Sequence, residues 1–164
     1  MTQTEIPLTA SAPVVAEVVV NVPQHFAFEA FAKQGAWWPK DSHHIGKAPA
    51  VDVIIEPKSG GRWMEIAADG TECPWATVLV YDPFGRMLFG WHLNAKWEFD
   101  ADFVTEVEVT FTYEGPETTR VRVEHRNMER FGADAAMVSK AYASDNGWTG
   151  ILKLYADNTS ATTS

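Results

Sequence analysis

Six strand-like segments follow one another between residues 51 and 125, and that succession limits the folds open to this 164-residue chain. They occupy 51–57, 62–67, 71–81, 86–93, 105–113 and 119–125. Turn signals separate them: Ser59-Gly60-Gly61, the hairpin-type Asp69-Gly70, Asp82-Pro83 with Gly85, and Gly115-Pro116. Short connections join antiparallel neighbours, so the six segments predict a meander. The clearest alternation is in 105–113, where Val107, Val109, Phe111 and Tyr113 interleave with Glu106, Glu108, Thr110 and Thr112. In 119–125, Val121, Val123 and His125 interleave with Arg120, Arg122 and Glu124, and on 86–93 Met87, Phe89 and Trp91 share a face. The two-residue period of a strand puts these apolar sets on one side of the sheet.

That side needs a cover. A β-branched run at 14–22 predicts a strand ended by Pro23, and a helix follows over 24–33 with an apolar stripe of Phe26, Ala27, Ala30 and Phe31. Gly35 stops it, and Trp37-Trp38-Pro39 falls in a second short turn or helix. A short helix is expected over 133–143, with Ser144 as N-cap of the last helix. In that last helix Trp148, Ile151, Leu152 and Tyr155 recur at the spacing of one face. The expected class is α+β: a curved antiparallel sheet of about seven strands wrapped around a long C-terminal helix, with two short helices after the first strand. Such a sheet encloses space beneath the helix. One domain over 14–157 is expected, between a flexible arm at 1–13 and a flexible tail at 158–164.

Charge narrows the partners. A formal net charge of −9 disfavours nucleic acid, which is held by clustered Lys and Arg, and equally an anionic membrane surface. Cys73 is the only cysteine, so no intrachain disulfide forms and a reducing cytoplasm is the simpler location. The N-terminus does not read as a secretory signal, and no run approaches the roughly 20 apolar residues of a membrane span. His43 and His44 are adjacent and point apart in an extended segment, with no pattern to complete a zinc site, so neither a metal nor a cofactor is expected.

Seven tryptophans are the second constraint, because a buried indole N–H usually needs a partner. They build either a bulky core or the wall of a pocket. Trp91 and Trp148 are expected to face each other across sheet and helix, with Trp37 and Trp38 where the short helices meet the sheet. Phe89, Phe111, Tyr113 and Leu152 complete the candidate cavity lining, together with Trp63 and Trp75, whose faces the pattern leaves open because Pro74 signals a bulge or an edge. Glu65 shares its face with Trp63: inward it is a buried carboxylate needing partners, outward an ordinary solvated acid. His125 ends an apolar face, where an imidazole either serves chemistry at the cavity or is held as a structural group.

The order of elements resembles the helix-grip fold of the START-like superfamily, also called SRPBCC or birch-pollen-allergen-like. The motifs are similar to those of the family named for the heat-shock-protein-90 ATPase activator homologues. They are Val22-Pro23, Trp37-Trp38-Pro39, Glu56-Pro57 with Gly60-Gly61-Arg62, Asp82-Pro83 before Arg86-Met87, Gly90-Trp91, the 119–125 strand, and Gly147-Trp148 with Ile151-Leu152. The resemblance implies an apolar groove or cavity under the last helix, in a group that includes ligand carriers, self-resistance proteins, cyclase-like enzymes and co-chaperone domains. The leading expectation is therefore binding of a small apolar or aromatic molecule. The alternatives are a cyclase- or hydrolase-like enzyme using His125 with a carboxylate such as Glu65, and a chaperone-associated module. An exposed edge of the open sheet leaves room for a homodimer.

Overall fold

In the computed structural model, which describes residues 12–163, seven strands form one antiparallel sheet. They are β1 (Val14–Val20), β2 (Ala50–Ile55), β3 (Arg62–Ala67), β4 (Glu72–Asp82), β5 (Arg86–Trp91), β6 (Thr105–Gly115) and β7 (Thr118–Arg126). Their spatial order is β1-β7-β6-β5-β4-β3-β2, so β2 to β7 are the meander that the short turns require and β1 closes onto β7. Three helices complete the domain: α1 (Gln24–Ala32), α2 (Ala135–Ala143) and α3 (Trp148–Thr163).

Register explains which side chains are covered. Phe89 stands opposite Val107, Val107 opposite His125, and His125 opposite Val14. A second row runs Met87, Val109, Val123, Ala16. These residues are buried, and α3 lies over them through Trp148, Leu152 and Tyr155. Register shifts mark bulges on β2, on β4 at two places and on β6, the local device by which an antiparallel sheet gains twist and bend. The opposite face is ionic: Arg86, Glu108, Arg126, Glu124, Arg122, Glu17 and Arg120 form a continuous run of ion pairs.

Several local expectations need correcting. On α1 the buried stripe is Ala27, Phe28 and Phe31, while Phe26 and Ala30 are half-buried. Ser144 does not cap α3; it ends α2, its hydroxyl donating to Ala141 O and accepting from Asn146 N. The last helix outruns its apolar periodicity, reaching Thr163, and Thr159 at its end is fully buried with its hydroxyl bonded to Tyr155 O. Residues 128–134 form a 3-10 segment that the sequence pattern did not suggest. The expected N-terminal arm lies outside the described residues except for its last two, and β1 begins at Val14 as the β-branched run predicts.

Candidate functional site

A cavity of about 640 Å³ opens beside the start of α3. Its inner wall is made by Trp75 of β4, Trp91 of β5, Tyr142 of α2, and Trp148 and Ile151 of α3, with Trp38 arriving from the turn after α1. Ser42, His43, His44 and Asn146 border its mouth. This volume lies within the usual range for small-molecule sites, roughly 300–1,000 Å³.

The corner between α2 and α3 sets the depth of the wall. A Cβ on Gly150 would fall 1.6 Å from Asp145 O, and one on Gly147 only 2.1 Å from Tyr142 O, so the chain can turn this tightly only where side chains are missing. The result is that Trp148 and Tyr142 lie nearly parallel, with ring centroids 6.1 Å apart and planes inclined by 13°. Across the cavity Trp97 lines the mouth and meets the Tyr142 ring edge-on at 5.0 Å. Trp97 is 45% exposed and holds a φ of 62°, a left-handed conformation rare for a bulky residue.

The indole N–H groups of the wall are turned into the protein. Trp38 donates to His43 O, Trp75 to Glu65 Oε1, Trp91 to Tyr142 Oη and Trp148 to His125 Nδ1, all at 2.8–3.1 Å. What the tryptophans offer the cavity is therefore ring surface. Trp63 is the hub behind them, fully buried against Phe89 at 4.6 Å and Trp91 at 5.3 Å, and its own N–H has no acceptor among the described residues.

Glu65 points inward. Its carboxyl accepts from Ile45 N at 2.6 Å, Gly46 N at 2.9 Å and Trp75 Nε1 at 2.9 Å, which pins the loop at 39–49 against β3. The bulge in β4 makes this contact: Ala76 pairs with Trp63 and Pro74 with Met64, so Trp75 is the extra residue and its side chain turns inward. His43 fastens the same loop from the other side, Nε2 lying 2.6 Å from Asn146 O while Nδ1 faces the Ser42 hydroxyl.

His125 is fully buried. Because the Trp148 N–H can only donate, Nδ1 must accept; the proton then sits on Nε2, which donates to Thr105 Oγ1 at 2.8 Å. Burial pushes the imidazole down to about 3. It is a neutral spacer between β6, β7 and α3.

Of the twelve residues expected at the cavity, Trp38, Trp75, Trp91 and Trp148 line it. Trp63, Phe89 and Leu152 are inward but lie behind that wall, and Glu65 and His125 serve it as hydrogen-bond partners. Trp37 packs between Phe31 and Tyr155 and donates to Ala30 O, a core position under α1. Phe111 packs on Phe28 and Phe31 in the same region. Tyr113 is 60% exposed: β6 runs on beyond the helices, and its alternation outlasts its cover. Tyr142, Trp97, His43 and Asn146 were not anticipated: the last three sit in loops where no periodicity assigns a face, whereas Tyr142 shares the i, i+3, i+4, i+7 spacing of the buried face of α2 with Ala135, Val138 and Ser139.

Among the described residues no group of three or more His, Cys, Asp or Glu side chains is placed to hold a metal ion, and no helix is long and apolar enough to cross a membrane. A model of the protein family described as "Activator of Hsp90 ATPase homolog 1-like protein" matches residues 21–154. No curated protein matches the sequence. Among solved structures, the anthrahydroquino-γ-pyrone synthase Txn09 is 32% identical, with 93% of this chain and 99% of that one covered at a TM-score of 0.62. CalC from Micromonospora echinospora, a self-sacrificing resistance protein, is 31% identical, with 93% and 97% covered at 0.67. An HSP90 activator from Plasmodium falciparum is 14% identical, with 71% and 74% covered at 0.50, a likeness of fold alone.

Proposed function

Since the chain belongs to the family of activator of Hsp90 ATPase homolog 1-like proteins, we propose that it acts through the cavity of that fold, as a binder of small apolar or aromatic molecules. The observation that carries this reading is the wall of four indoles whose N–H groups are committed elsewhere, leaving about 640 Å³ faced by aromatic surface. Flat ring systems suit such a wall, since stacked and edge-to-face aromatic pairs gain beyond simple area burial. The relative named as an anthrahydroquino-γ-pyrone synthase, 32% identical, supports the same ligand class.

The enzyme reading with His125 and Glu65 as an acid–base pair loses support. General acid–base catalysis needs groups within hydrogen-bond reach of a substrate. Both nitrogens of His125 and both oxygens of Glu65 are engaged within the protein, and neither residue lines the cavity. A chaperone partner remains the second reading, on the family description together with an acidic net charge of −9 that would complement a basic patch.

Titration with 1-aminoanthracene, whose emission rises in apolar surroundings, tests the binding function. One saturable site is expected. Ala141 also lines the cavity, and Ala141→Trp would obstruct part of it, so this variant should bind at least about tenfold more weakly while keeping its circular dichroism spectrum. Unsaturable binding, or equal affinity in the obstructed variant, would count against the cavity.

A further inference from the structure

Among the described residues nothing takes the hydroxyl hydrogen of Tyr142. Its Oη accepts the Trp91 N–H at 2.8 Å, and among the described residues no acceptor lies within reach of its own O–H. A phenol donates once as well as accepting, and a buried donor without an acceptor costs free energy until something takes it. Tyr142 is only 5% exposed, yet it lines the cavity. The other buried aromatic residues of that wall, Trp38, Trp75, Trp91 and Trp148, have their donors committed. Among the described residues the lining holds no Asp, Glu, Lys or Arg.

From these placements we infer that the Tyr142 hydroxyl is the polar anchor of the cavity, donating to a carbonyl or ether oxygen on the edge of a neutral, planar ring system. The inference rests on the reading of the cavity as a ligand site and narrows its ligand class from aromatic to acceptor-bearing aromatic. Geometry supports the role in two ways. The Tyr142 ring is held against Trp148 on one side and His125, at 4.5 Å, on another, so its hydroxyl is fixed rather than swinging. Trp97 sits over the same ring at the mouth, where it would close on the occupant. Burial raises the phenol well above its usual value, the Trp91 bond offsetting this only in part, so the donor keeps its proton.

The probes are 9-fluorenone and fluorene, which share a tricyclic skeleton and differ by one carbonyl. Equilibrium dialysis against the full chain gives the affinity of each. Wild-type protein should prefer fluorenone by about five- to tenfold, the usual worth of one net hydrogen bond. In Tyr142→Phe the preference should vanish. Equal affinities in the wild type, or a preference that survives in the variant, overturn the anchor while leaving the cavity reading intact. Binding of neither compound removes the cavity reading and the anchor with it. Because Tyr142→Phe also strands the Trp91 N–H, the infrared carbonyl stretch of fluorenone bound to wild-type protein decides the matter if the variant does not fold. A band shifted below its position in cyclohexane supports the anchor, and one at the cyclohexane position overturns it.

Discussion

His125 shows how one side chain can look chemical in sequence and prove structural in place. Ending an apolar strand face, it has the position of a pocket base; in the fold it accepts from Trp148 and donates to Thr105 with no solvent contact. Its neutral state has a consequence for stability. Burial holds the folded imidazole down at about 3, whereas the unfolded chain takes up the proton near 6.5. Between those values the unfolded state binds more protons, so stability falls as pH falls. His125 alone should therefore lose the protein about 2 kcal/mol between pH 7 and pH 5. Gln at this site keeps one acceptor and one donor but does not titrate. Urea unfolding of His125→Gln at both pH values should show that much less pH dependence than wild type; an equal dependence would mean the histidine is protonated in the native protein.

At the scale of elements, the loop at 39–49 depends on a single carboxylate. Glu65 gathers two backbone amides of that loop and the indole of Trp75, so Glu65→Ala leaves three donors unpaired around one small void. The expected loss is about 2–4 kcal/mol. It should be accompanied by fast hydrogen exchange at Ile45 and Gly46, with the amides of β6 and β7 still protected. Uniform loss of protection across the sheet would show that the clamp serves the whole fold instead. This arrangement also marks how far sequence reasoning reaches. Strands β5, β6 and β7 were legible because their sequence alternation is regular and one face is covered along most of their length. Trp63, Glu65 and Trp75 were not, since a bulge breaks the period and the partners of Glu65 come from a loop about twenty positions earlier. His43 reaches the cavity from a loop, and loops carry no period; Tyr142 stands on α2, whose period marks it as buried but not as a cavity wall. Tyr113 misled for the opposite reason: its period was intact but its cover ended.

For the molecule as a whole, the two faces of the sheet divide the labour. The outer face carries the ion pairs running from Arg86 to Arg120, each of small worth at the surface but together keeping that face solvated. The inner face joins sheet, α2 and α3 around the cavity, so a ligand there touches both layers and stabilises all of them together. At a hundredfold excess over its dissociation constant a ligand adds about 2.7 kcal/mol, which for a chain of this size is a rise in melting temperature of roughly 5–10 °C. Differential scanning calorimetry with 9-fluorenone should show one transition moved upward; two transitions, only one of them moving, would mean that the cavity walls unfold separately.

The indole cluster has an optical consequence. Trp37, Trp38, Trp63, Trp75, Trp91 and Trp148 are linked by ring-to-ring distances of 5.0–6.5 Å, while among the described residues the ring of Trp97 pairs with that of Tyr142 and with no other indole. At such separations excitation absorbed by one ring migrates to the others before it is emitted. Six chromophores thus behave as one antenna around the cavity, and a quencher touching any part of the wall darkens light gathered by all of it.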